Sequence, residues 1–274
     1  MSECRLHDKV CRKYAGFGFY ADNGDTMLKA EIKTIQNIES KYYMQPMLTK
    51  IRADIANEIY KLQDIFNHLY DYLIDCRDEV ENLIQEKIER GEIRDASQAR
   101  KSVAGSAFSN LLIWVFLKNK EETHIRKDIF ITAKISSVPQ WKDLFFIKVG
   151  DDTQKPDVDL VIYSLNSDNS LKSCLILSLK TSLRERAGQT YKWKLLMEIA
   201  NTESSIKDKY DISYNPPILP LVCFTTVNFY DEINTPQYRA MFKFFDCAFI
   251  GKNIATADFI KPLSYLIKYV NENL

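Results

Sequence analysis

The chain has 274 residues and is charge-balanced, with 37 Lys plus Arg against 37 Asp plus Glu. This balance excludes a protein that coats nucleic acid through a global positive field, so any basic surface must be local. No run of about 18 apolar residues that would span a membrane occurs, and the charged residues 1–13 lack the apolar stretch of a signal peptide, so the expected location is cytoplasmic.

The chain opens on Gly16-Phe17-Gly18-Phe19-Tyr20 and Asn23-Gly24. That pattern lacks the glycine spacing and lysine of a phosphate loop and reads as an irregular arm with a turn or packing role. A short helix is predicted over 26–40. Ile51, Ile55, Ile59, Leu62, Phe66, Leu69 and Leu73 then recur at three- and four-residue steps, continued by Val80, Leu83, Ile84 and Ile88. Residues 49–90 therefore predict one long helix or two stacked ones, ended by Gly91, whose apolar stripe serves either the core or a dimer contact.

A helix over 97–117 opens the second part, followed by strands over 129–132 and 144–147. After a central hairpin come a helix over 189–201, a strand over 218–227, a helix over 237–245, a short strand over 248–250 and a closing helix over 258–270. Alternation of this kind predicts an α/β (α+β) fold, with a mixed central β-sheet flanked by helices and an N-terminal helical region. The expected division is 1–95 for the helical region and 96–274 for the core.

The hairpin carries the chemistry. Lys155-Pro156-Asp157-Val158-Asp159-Leu160-Val161-Ile162-Tyr163 leads to the polar turn Asn166-Ser167-Asp168-Asn169-Ser170 and then to residues 171–180. Both arms are dense in apolar and β-branched residues, as buried strands are. Pairing them brings Asp157 close to Lys180. A carboxylate beside an ammonium is the minimum for metal-assisted phosphodiester hydrolysis: the acid holds Mg²⁺ and the cation orients water and offsets developing negative charge. Asp159 shares a face with Asp157 and reads either as a second ligand or as a solvated strand-end acid, with Asp157 the first choice.

Many nucleases of this plan place an acid two residues before the lysine, where this chain has Ser178. Only two acids lie between Lys180 and Ala200. Glu185 sits between two arginines, so Glu198, on the helix after the lysine, is the candidate second metal carboxylate; its plainer reading is an exposed residue paired with Lys194.

Arg184-Glu185-Arg186 follows the lysine closely. Arginine pairs with guanine O6 and N7, and a carboxylate accepts from the cytosine amino group, so the triplet can read consecutive G·C pairs. Such a triplet is also common on ordinary protein surfaces; its place after the hairpin lysine singles it out. Residues 172–194 hold six cations, Lys172, Lys180, Arg184, Arg186, Lys192 and Lys194, against the single acid Glu185. That segment is the expected phosphate-facing edge, with Gln189 and Lys192 as weaker DNA contacts.

Cys4, Cys11, Cys76, Cys174, Cys223 and Cys247 have no CxxC spacing and read as reduced thiols rather than a zinc site. His7, His68 and His124 stand apart, with no sequence neighbour suggesting a triad.

From Pro156 to Glu198 the chain resembles the CCGG-family type II restriction endonucleases, a branch of the PD-(D/E)xK nucleases, and within it the BsaWI-like members. The resemblance rests on Ser178-Leu179-Lys180, the downstream acid and the Lys-Thr-Ser-Leu-Arg-Glu-Arg run from Lys180. The interval from lysine to acid is longer than the family pattern. The helix around Leu111-Leu112-Ile113-Trp114 also lacks the glutamate many members carry, Phe108, Ser109 and Asn110 standing there.

The resemblance implies a restriction-endonuclease-like core and Mg²⁺-dependent double-strand cuts in double-stranded DNA at a short palindrome with a CCGG core. BsaWI-like members would add A or T on each flank. Asp157, Lys180 and Glu198 become catalytic, with Asp157 and Glu198 on the metal, and Arg184, Glu185 and Arg186 read bases. A twofold site implies a homodimer, with higher oligomers open, and a cognate DNA methyltransferase in the cell. The alternatives are a nonspecific or structure-selective nuclease of the same fold, and a catalytically dead DNA-binding protein.

Overall fold

The computed structural model describes residues 23–254 and 258–274; the side chains of 23–27 and of Arg184, Glu185 and Arg186 lie outside that description. Two compact units divide at Ser40 and Lys41. The described part of the first is helix α1, Asn23–Glu39, which takes in Asn23 and Gly24, both expected in the arm. The glycine-aromatic run 16–20 lies outside the described residues. The second unit, residues 41–274, runs without a break across the position near 95.

The predicted helix over 49–90 is instead three: α2, Gln45–Ala56; α3, Leu69–Asp75; and α4, Arg77–Glu89, with 3₁₀ turns between α2 and α3. The first break is a Schellman end. Glu58 takes φ +58, its N–H donates to Ile55 O at 3.1 Å, and Ile59 N donates to Asp54 O at 2.9 Å. The same motif closes α4 at Gly91, φ +73, where glycine costs nothing. Ile51, Phe66, Leu69 and Ile84 of the apolar series are buried within the chain, whereas Ile59 is exposed.

Helix α5, Ala96–Glu121, is capped by Asp95, whose carboxylate accepts from Gln98 N. Leu111 through Leu117 are all buried, so α5 is apolar on every side there and runs through the core. It packs against α3, α4 and the sheet.

Strand β1, Ile129–Thr132, lies where predicted. The run 144–147 does not form one strand: α6 covers Trp141–Phe145, and β2, Ile147–Val149, begins after it. A short apolar run carries no period, and here the left-handed Gln140 starts a helical turn that buries Leu144 and Phe145. Then come β3, Asp152–Gln154; β4, Leu160–Leu165; and β5, Leu171–Lys180.

The turn between β4 and β5 is closed by Asn166 N donating to Ser170 O and by Asn169 at φ +63. Helix α7, Arg184–Asn201, α8, Ser205–Lys209, and β6, Ile212–Ser213, lead into β7, Leu221–Thr226. Helix α9, Pro236–Phe242, and β8, Cys247–Ile250, follow. The expected closing helix over 258–270 is instead β9, Lys261–Pro262, followed by α10, Tyr265–Asn273.

The main sheet has the order β1-β4-β5-β7-β8-β9. The β1–β4 and β4–β5 pairs are antiparallel, and β5–β7, β7–β8 and β8–β9 are parallel, which makes the sheet mixed. A second sheet, β3-β2-β6, stands apart from it. Helices flank the main sheet, so the mixed α/β expectation holds. Strands β4, β5 and β7 are buried almost throughout, which explains why they read as apolar runs rather than alternating ones.

Candidate active site

Strand β5 carries Ser178 and Lys180 on one face, and α7 covers that face: Ser178 Oγ stands 2.8 Å from Thr190 Oγ1. Register pairs Leu160 with Leu177, so the chain entering β4 passes the end of β5 and delivers Asp159 and Asp157 to it.

The Lys180 ammonium, 6 % exposed, donates to Asp159 Oδ2 at 2.8 Å and lies 3.6 Å from Asp157 Oδ2. Asp159 Oδ2 also accepts from Leu179 N at 2.8 Å and from Ser178 Oγ at 3.4 Å. These contacts hold the lysine head where two carboxylates offset its buried charge. They centre on Asp159, whose side chain is 28 % exposed, while Asp157, at 71 %, stands at the solvent edge. The hairpin thus brings both acids to Lys180, with the tighter contact at the acid ranked second from the sequence.

Glu198 is placed elsewhere. Its carboxylate, 56 % exposed, pairs with Lys194 Nζ at 2.8 Å, and the same ammonium donates to Asp246 Oδ2 at 2.9 Å. Asp246 in turn accepts from Val222 N, and Val222 is the register partner of Ile176, two residues before Ser178 on β5. Helix α7 therefore runs away from Lys180. Glu198 lies eight residues beyond Thr190, about 12 Å further along the axis.

Burial pushes the Lys194 ammonium down, but its hydrogen bonds to Glu198 and Asp246 and their charges outweigh this and hold it above the ordinary lysine range. A raised lysine contributes stability at all lower pH and loses it only as pH rises past about 10.5, so this cluster stays intact near neutrality. Lys194→Met is expected to lower stability by about 2 kcal/mol, with the part-exposed acids limiting the loss; urea unfolding at pH 7 checks it.

Helix α7 begins at Arg184, five residues before the predicted start, so Arg184, Glu185 and Arg186 form its first turn. Their side chains lie outside the described atoms. Gln189 and Lys192 are exposed on the same helix. Glu232, from the segment after β7, accepts from Leu183 N at 2.9 Å just ahead of the triplet. Neither Glu232 nor Thr190 carried any sequence signal, because each gains its place only through tertiary contact.

Among the described residues, two histidines and four cysteines remain. His68 stacks on Tyr60 and bonds Asp71, and His124 bonds Asn119. Cys76, Cys174, Cys223 and Cys247 are free thiols, and burial pushes Cys174 up to about 12, so it is inert near neutrality. Among the described residues no group of three or more His, Cys, Asp and Glu gathers to hold a metal ion. No helix among them is long and apolar enough to cross a membrane.

A curated protein of Methanocaldococcus jannaschii that carries the name of a type II restriction enzyme, MjaVIP, is 26 % identical over 168 residues, covering 55 % of this chain and 74 % of its own length. The family described as BsaWI restriction endonuclease type 2 matches residues 117–269, a span holding the hairpin, Lys180 and all of α7. The chain belongs to this family and is a type II site-specific deoxyribonuclease.

Proposed function

We propose that the enzyme makes Mg²⁺-dependent double-strand cuts at a short palindrome with a CCGG core, flanked by A or T, and that Asp157, Asp159 and Lys180 form its catalytic centre. The observation that carries this reading is the convergence of both carboxylates on one buried ammonium, at 2.8 and 3.6 Å.

Restriction endonucleases generally use divalent metal ions. The donor set fits a hard cation: Asp157 and Asp159 offer carboxylate oxygen only, and Mg²⁺ needs just one or two carboxylates when water and phosphate oxygens complete its shell. All three described donors to Asp159 fall on Oδ2. Oδ1 is thus left for the ion. Bound Mg²⁺ supplies Lewis-acid stabilisation of a phosphate oxygen.

Lys180 orients the attacking water towards phosphorus and offsets the negative charge that grows on the phosphate oxygens. Asp159 aims the lysine, and its bond to Leu179 N keeps that aim tied to the strand. Glu198 supports the fold through Lys194 rather than holding the ion. Arg184, Glu185 and Arg186 read the bases, and Gln189 and Lys192 touch the backbone. Residues 96–274 carry all these groups, while residues 1–95 serve dimerisation or embrace the DNA. The enzyme acts as a homodimer, one subunit per strand, and its host carries a methyltransferase for the same site.

Digestion of phage DNA in Mg²⁺ and in EDTA, with sequencing of fragment ends, tests the reading. Discrete Mg²⁺-dependent fragments with CCGG-containing ends are expected; a smear would remove the base-reading role, and no cleavage would remove the catalytic one. Asp159→Asn is expected to cost about 10-fold more single-turnover rate than Asp157→Asn, because it weakens the ion and unseats Lys180 together. Equal losses would show that Asp159 does not aim the lysine.

A further inference from the structure

The first turn of α7 is held in an unusual way. Leu183 occupies its N-cap position and has no side-chain oxygen to satisfy the turn's free N–H groups. In a capping box, the residue three positions on would be Glu or Gln, reaching back to the N-cap N–H. Here that position is Arg186. The acceptor comes instead from Glu232, 49 residues downstream, whose Oε2 takes the Leu183 N–H at 2.9 Å.

Glu232 is itself fixed. Its N–H donates to Asn228 Oδ1 at 2.9 Å, the Asn228 N–H donates to Thr226 Oγ1 at 2.9 Å, and Asn228 is buried with φ +50. The next residue, Ile233, is buried too. Thr226 is the register partner of Lys180 on the neighbouring parallel strand, and Phe229 N donates to Thr181 O at 3.0 Å. The chains leaving β5 and β7 therefore stay rung to rung beyond the sheet, from Lys180 to Leu183 on one side and from Thr226 to Glu232 on the other.

We propose that Glu232, seated by Asn228, is a positioning residue for sequence discrimination. It accepts the N-cap N–H that no residue of a capping box takes here, and so fixes the backbone of the first turn, which carries the triplet. The brace also joins the triplet to the strand end bearing Lys180, so base reading and cleavage share one rigid frame. This inference rests on the base-reading role proposed above for the triplet.

The test uses the full-length enzyme and duplexes carrying its mapped site or that site with one base pair changed, at a temperature well below unfolding. Glu232→Ala is expected to reduce the cognate-to-altered ratio of kcat/KM by about 10- to 100-fold, mostly through KM on the cognate duplex. Glu232→Gln, which keeps an accepting oxygen at the same reach, is expected to stay within about 3-fold of wild type. A purely structural cap would lower the melting temperature of Glu232→Ala and leave the ratio unchanged, and that result would overturn the proposal.

Arg184→Ala and Arg186→Ala go through the same panel. If they lose discrimination and Glu232→Ala does not, the brace alone is refuted. If neither arginine matters, the base-reading role fails and the brace falls with it.

Discussion

Lys180→Ala is expected to lower the single-turnover rate of DNA cleavage by about 10³-fold or more, with DNA affinity within a few-fold of wild type. One preorganised charge aimed at developing negative charge is worth about 10²–10³ in rate, and loss of water orientation adds to it. The lysine is 6 % exposed and held by Asp159, Leu179 N being bound to the same oxygen, so it is set in place before DNA arrives. Lys180→Met keeps the aliphatic stem and separates the chemistry of the ammonium from the packing of its stem: both variants are expected to be equally inactive, while Met retains more stability. Quenched cleavage with enzyme in excess, beside gel-shift binding in Ca²⁺, measures the two effects. Retention of activity within about 3-fold in either variant would remove Lys180 from the reaction.

Arg184→Ala and Arg186→Ala are each expected to cost about 1–3 kcal/mol of discrimination between the cognate site and a site altered at one G·C pair. Lysine in either place is not expected to rescue, since a point charge cannot reproduce the two parallel N–H donors that grip guanine O6 and N7. Lys192→Ala serves as the contrast. Removing a cation that faces phosphate would weaken binding to all sequences alike and reduce the salt slope by about one. Competition binding of cognate and altered duplexes at several salt concentrations separates these two signatures. Uniform weakening by the arginine variants would move them from base reading to phosphate binding.

Both expectations start from residues adjacent in the sequence, which is why they were legible there. The hairpin needs only two apolar runs and the polar turn 166–170, so the approach of the acids to Lys180 followed from local pattern. Gly91 marked a helix end for the same local reason. Glu58 did not: it adopts the same left-handed conformation at φ +58 with a side chain that gives no sign of it, and the apolar spacing on either side continued as if unbroken. The run 144–147 failed similarly, being too short to show a period and split between α6 and β2.

By itself the sequence indicated the restriction-endonuclease family through its resemblance, and the mixed α/β plan and the strand carrying Lys180 through its apolar runs; the start of the helix carrying the triplet was not legible. The plan and the strand are properties of composition, period and short spacing. Tertiary structure decided which acids can act together. Asp159 takes the closer contact with Lys180 because strand register sets Leu160 against Leu177. Glu198 pairs with Lys194 instead of approaching Lys180 because α7 meets β5 at Thr190 and then runs towards Asp246. Glu232 reaches Leu183 N at the start of α7 from 49 residues away because β5 and β7 are parallel neighbours whose ends coincide. Spacing along one chain cannot encode such choices, since each depends on where two separately formed elements come to rest against one another.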